Sequence, residues 1–189
     1  MLSSTLEHPA SMSAMKKWAK NTQRNHIIVE HNDDSGSVDE QAYIKKLTSD
    51  VRVVSIVHTS PVTGMTVDLE KITKEVRNVT PDCIIIVDGI QHSSHGAIDV
   101  QKYDIDGYVV SPYKMFSRHG YGVAWASDRL CTLNKEQLAD GPFQNWELGT
   151  RDAGSYATFS DVVDYLDWLG SNFTESENTR ERLEASSLA

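Results

Sequence analysis

The sequence predicts an α/β fold, a three-layer α/β/α sandwich built on a mostly parallel sheet. Three observations carry this. Short β-branched runs alternate with stretches of helical periodicity. One run, Cys83-Ile84-Ile85-Ile86-Val87, is apolar without interruption, as expected of a strand covered on both faces. The order of these stretches, strand and helix in turn, is that of a sheet sandwiched by helices, whose sites lie in the loops past the carboxyl ends of strands.

The elements follow in order. Met12, Met15, Trp18 and Ala19 fall at helical spacing and predict a helix over 10–20. His26–Glu30 reads as a short strand, Asp33–Ser37 as a turn. A second helix is expected around Val38, Tyr43, Ile44 and Leu47. The stretch VRVVSIVH, residues 51–58, is the next strand, and Leu69, Ile72 and Val76 set the register of a helix over 66–78. After the apolar run come strands at 107–110 and 121–126. A helix over 156–169 is stopped by Gly170, and another is expected over 174–185.

A chain of 189 residues favours one domain. Its net charge of −9 and the lack of any basic run exclude a general nucleic-acid partner. No stretch approaches 18 apolar residues, so no membrane span is expected. The start lacks the apolar core of a signal peptide, and two cysteines make no disulfide framework. A reducing, cytoplasmic setting is the expectation.

Asp88 follows the buried strand directly, and Lys114 stands just past the next strand end. A buried carboxylate must be hydrogen-bonded or paired. One reading of the two is a structural ion pair. The other is a pyridoxal 5′-phosphate site, where a lysine carries the aldehyde as an imine and an aspartate keeps the ring nitrogen protonated. His92-Ser93-Ser94-His95 raises a third possibility, a metal hydrolase, but the spacing offers no further ligand cluster and no metal is expected. His95 is expected to hydrogen-bond within its loop. Gly120 and Gly122 read as turn glycines at positive φ.

The run from VVSIVHTSPVTG through IIIVDGIQHSSHGAIDVQKYDIDGYVVSPYKMFSRHGYGVAW is similar to the class V aminotransferase family, most of all its cysteine-desulfurase-like branch. Asp88, Gly89, Gln91, His95, Asp99, Val100, Ser111, Lys114, Gly120 and Gly122 carry the match. Glu7-His8-Pro9-Ala10 resembles the family's E-H-x-A segment, and Trp146–Thr150 its F-E-x-G-T segment. The resemblance implies pyridoxal 5′-phosphate bound as a Schiff base to Lys114, with Asp88 at the ring nitrogen. It implies His8 stacked on the ring as a second catalytic residue and Gln91 near the ring oxygen or the imine. Ser111 would bind the phosphate. Tyr113 stands where the family usually has a histidine doing the same. Thr150, with Arg151 beside it, would reach the phosphate of a partner in a homodimer. Pro61 replaces the family's asparagine, a donor to the ring oxygen.

The same resemblance implies an amino-acid substrate and an incomplete large domain. Residues 1–170 would be the cofactor-binding core. Residues 171–189 would be a C-terminal helix starting the linker to a small domain that this chain lacks. In the family, that small domain brings the substrate-binding arginine and, in desulfurases, the nucleophilic cysteine. Neither Cys83 nor Cys131 matches that cysteine. The competing expectation is a non-catalytic or truncated remnant that keeps the fold and dimerises.

Overall fold

A computed structural model of the chain describes residues 1–136, 139, 146, 149–150 and 152–187. Among the described residues six strands form one sheet: β1 (Leu2–Ser4), β2 (Ile27–Val29), β3 (Val53–Val57), β4 (Ile84–Asp88), β5 (Gly107–Val110) and β6 (Val123–Ala126). Their order is β2-β1-β3-β4-β5-β6. The first five run parallel, and β6 closes one edge antiparallel to β5. The expected mostly parallel α/β architecture is the one observed.

Among the described residues six helices connect and cover the strands: α1 (Pro9–Asn21), α2 (Glu40–Lys46), α3 (Leu69–Val79), α4 (Asp128–Cys131), α5 (Ala153–Gly170) and α6 (Thr179–Ser186). The chain moves from β1 out to β2, then returns past β1 to β3. Right-handed crossovers therefore put α1 on one face and α2 with α3 on the other. Tyr43 of α2 and Leu69, Ile72 and Val76 of α3 bury themselves against Val54, Ile56, Ile85 and Val87. Each fully buried aliphatic side chain contributes about 1.5–3 kcal/mol.

Helix ends differ from the periodic reading because caps, not apolar spacing, fix them. Asp68 accepts from Lys71 N and starts α3 at Leu69. Asn178 accepts from Glu181 N and starts α6 at Thr179. Asp152 likewise begins α5 earlier than expected, at Ala153.

Three findings depart from expectation. The strand β1 was not foreseen, yet it lies between β2 and β3. Its Leu-Ser-Ser has no β-branched residue, and its buried serines are satisfied by His26 and Glu7. The apolar run is fully buried on one face only: Ile85 and Val87 are buried, Ile84 and Ile86 partly so. Gly120 has φ +104°, as a turn glycine should, but Gly122 keeps an ordinary negative φ.

At the C-terminal end α6 folds back onto α5. Gly170 leaves no room for a Cβ against the Arg182 backbone. Arg182 pairs with Asp167 at 3.3 Å, and Arg180 reaches Asp99 at 2.6 Å. No helix among the described residues is long and apolar enough to cross a membrane.

Candidate active site

The reversal of direction at β1 makes the carboxyl ends of β1 and β3 the switch point of the sheet, where chain leaving the two strands diverges and opens a crevice. A cavity of about 190 Å³ lies there. Four loops build it. His8 comes from the segment after β1, and Thr59 and Pro61 from that after β3. Asp88, Ile90 and Gln91 stand at the end of β4, and Ser111, Tyr113 and Lys114 follow β5. The structure thus brings together every site residue expected from the sequence except Thr150. Thr150 is exposed and does not line the cleft. Arg151 lies outside the described residues.

The ion-pair reading of Asp88 and Lys114 is not what the geometry holds. Lys114 Nζ donates to Gln91 Oε1 at 2.8 Å. Asp88 is only 9% exposed. Its Oδ1 accepts from Ile90 N at 3.1 Å, and among the described residues no cation pairs with it. An ionised carboxyl group can accept about four hydrogen bonds, so this one keeps spare capacity. Gly89 is required beside it, because any Cβ there would collide with the Tyr108 ring.

Gln91 is held from both ends. Its oxygen faces Lys114, so its amide NH2 faces His95 Nε2 at 3.2 Å. His95 therefore acts within its loop, as expected, and it fixes the orientation of Gln91. Ser111 precedes a short 3-10 turn over Pro112–Met115, yet its hydroxyl caps nothing. Tyr113 stacks on His119 with ring centroids 4.3 Å apart. Neither hydroxyl has a protein partner among the described residues. His8 caps α1, its Nδ1 accepting from Ala10 N at 3.2 Å.

Behind the cleft, His58 and His92 stack with centroids 3.5 Å apart. Burial pushes His58 down to about 3 and also lowers His92. The Ala97 carbonyl can only accept, so His92 Nε2 carries the proton and Nδ1 accepts from the Thr59 hydroxyl. Both nitrogens of His92 are thus used inside the protein. Among the described residues no three potential ligands converge on a metal position. Sequence reasoning gave no role to Thr59 or Glu7, although Glu7 opens the segment that resembles the family's E-H-x-A.

Comparison with known proteins now places the chain. The sequence profile of the aminotransferase class-V family matches residues 1–185. The chain belongs to the class V aminotransferase family. Among curated relatives, a probable cysteine desulfurase of Mycoplasma genitalium is 28% identical over 124 residues, 66% of this chain and 30% of the relative. A cysteine desulfurase of Wigglesworthia glossinidia brevipalpis is 34% identical over 96 residues, 51% of this chain and 23% of the relative. The crystal structure of the Escherichia coli cysteine desulfurase CsdA superposes with a TM-score of 0.75 at 22% identity, over 95% of this chain and 46% of that one. A solved NifS-like protein gives a TM-score of 0.76 at 17% identity, over 91% of this chain and 50% of that one. The domain is cysteine-desulfurase-like, and it spans a quarter to a half of the length of these relatives.

Members of this family depend on pyridoxal 5′-phosphate, and the donor set of the cleft fits that group. An amine is present for the aldehyde. A carboxylate with spare acceptor capacity suits a ring N–H. Two unpartnered hydroxyls suit a phosphate. Pro61 lines the cleft without a donor, and the Ser60 hydroxyl beside it is turned to its own loop amides.

Proposed function

We propose that this domain binds pyridoxal 5′-phosphate, covalently linked through its aldehyde to Lys114, and acts on an amino-acid substrate. When bound, the cofactor supplies an electron sink for the substrate Cα. Asp88 holds the ring nitrogen protonated through a charge-assisted hydrogen bond, worth about 1.5–3 kcal/mol. His8 lies along the ring face and offers an acid/base group there. Gln91 steers the Lys114 amine, and the Ser111 and Tyr113 hydroxyls bind phosphate. Thr150 serves the partner's phosphate in a homodimer. Residues 1–170 are the cofactor-binding core, and 171–189 lead toward a further domain.

The observation that carries this reading is the cleft itself. It gathers Lys114 and Asp88 at the switch point of a mostly parallel sheet and, among the described residues, leaves the aspartate without a cation. The likeness to cysteine desulfurases supports sulfur removal from cysteine as the reaction. Neither cysteine of this chain suits the nucleophile. Cys83 is buried just before β4, and burial pushes its thiol up to about 11. Cys131 ends α4, which follows the antiparallel β6 and so lies at the other end of the parallel strands. Desulfuration would then need a thiol from elsewhere.

Titration with pyridoxal 5′-phosphate tests the reading. The chain should gain a visible absorption band that Lys114→Ala lacks. Asp88→Asn should weaken cofactor retention about tenfold to a hundredfold. A wild-type chain that stays colourless would end the proposal.

A further inference from the structure

We propose that Glu7 is a positioning residue: its carboxylate bridges β1 to β3 across the switch point and thereby fixes His8 over the cleft. The inference rests on the reading of His8 as the ring that faces the cofactor. Glu7 is 6% exposed and directly precedes His8. Its Oε1 accepts from Val57 N at 3.0 Å and from the Ser4 hydroxyl at 3.2 Å, and its Oε2 accepts from the Ser55 hydroxyl at 3.0 Å. No cation pairs with it among the described residues.

Strand geometry explains why a side chain is needed there. His58 N donates to Asp88 O, so the alternate amide, Val57 N, points the other way, toward β1. Yet β1 stops at Ser4, where Thr5 N already turns to Val29 O of β2. No main-chain carbonyl of β1 accepts from Val57. The Glu7 carboxylate takes that place, and it extends the β1–β3 contact to the edge of the cleft. His8 begins one bond later, where it lines the cleft and caps α1. Burial raises the Glu7 carboxyl group above its ordinary range. The charge is therefore a burden, and the two oxygens at that reach are what the fold uses.

Reach and charge can be separated. Glu7→Gln keeps the length and loses the charge. Glu7→Asp keeps the charge and draws the carboxylate back from Val57. Three readouts apply: hydrogen exchange of the Val57 amide, the ring 15N shifts of His8 in the free chain, and the rate at which borohydride traps pyridoxal 5′-phosphate on Lys114. Val54→Ala, which weakens β3 without touching Glu7, is the control for simple destabilisation.

Glu7→Asp should speed Val57 exchange, shift His8 and slow trapping, each by a clear margin and trapping by about tenfold. Glu7→Gln should stay within about threefold of wild type in trapping, since its amide still reaches Val57. The proposal is overturned if Glu7→Asp leaves His8 unmoved, if Glu7→Gln is as defective as Glu7→Asp, or if Val54→Ala shifts His8 equally. Should Glu7→Asp fail to fold, Ser55→Ala removes one of the three donors and must shift Val57 and His8 part-way; no shift overturns the link. A wild-type chain that is never trapped retires the cofactor reading, while Val57 and His8 still decide whether Glu7 holds His8.

Discussion

Asp88 and Asp106 are buried carboxylates on neighbouring strands, and the fold surrounds them in opposite ways. Asp106, just before β5, is 1% exposed. It accepts from Ile85 N and the Ser127 hydroxyl, pairs with Arg77 at 2.8 Å, and faces Arg129 at 3.4 Å. Asp88 sits three residues beyond Ile85 on β4, about 10 Å along the strand. It has one backbone donor and no cation among the described residues. At the amino ends of the strands, charge is saturated by the protein. At the carboxyl ends Asp88 meets only a backbone amide among the described residues. Burial is common to the two carboxylates; the number of protein partners among the described residues is what differs.

That contrast can be broken most forcefully at Asp106. Asp106→Asn should cost about 3–5 kcal/mol of unfolding free energy in urea titrations, because it removes the buried carboxylate of Arg77 and leaves that guanidinium only the exposed Asp104 as an anionic partner. Asp88→Asn should cost under about 1 kcal/mol, since Asn still accepts from Ile90 N. Equal losses at the two positions would erase the distinction.

The cleft end should also be the acid-sensitive end. His58 is held down to about 3, against an ordinary 6.5. The unfolded chain therefore takes up this proton more readily than the folded one. Stability should be full above pH 6.5 and decline by a few kcal/mol as pH falls toward 3. Unfolding curves of wild type and His58→Gln across that window should diverge in the wild type's disfavour; parallel curves would show that the stacked pair is not protected from protons.

Smaller effects sharpen the picture. Gly89→Ala should lose about 1–3 kcal/mol, because the new methyl meets Tyr108. The smallest expected effect is at Glu7. Its raised carboxyl group binds its proton more tightly in the folded chain, so stability present in acid is lost as pH climbs past the ordinary carboxylate range. Glu7→Gln should flatten that part of the pH–stability profile.

Much of this was legible in the sequence. The alternation of β-branched and helical stretches marked β2 to β6 and helices α1, α2, α3, α5 and α6 in order, and Asp88, Gln91, Ser111, Tyr113, Lys114 and His8 all line one cleft. Three features were not legible. The strand β1 is three residues of Leu-Ser-Ser, too short for any period to register and held by serine hydroxyls instead of apolar side chains. The partner of Lys114 is Gln91 rather than Asp88, a matter of side-chain orientation that spacing cannot encode. The work of Glu7 depends on where β1 stops relative to β3, a property of two strands 50 residues apart.

Borohydride reduction of the chain after incubation with pyridoxal 5′-phosphate, followed by peptide mapping, bears most directly on the cleft as a cofactor site. The account predicts a single tagged peptide carrying the modification on Lys114, lost in Lys114→Ala and weakened in Asp88→Asn. Label spread over exposed lysines such as Lys16, Lys45 and Lys102, with none on Lys114, would contradict it.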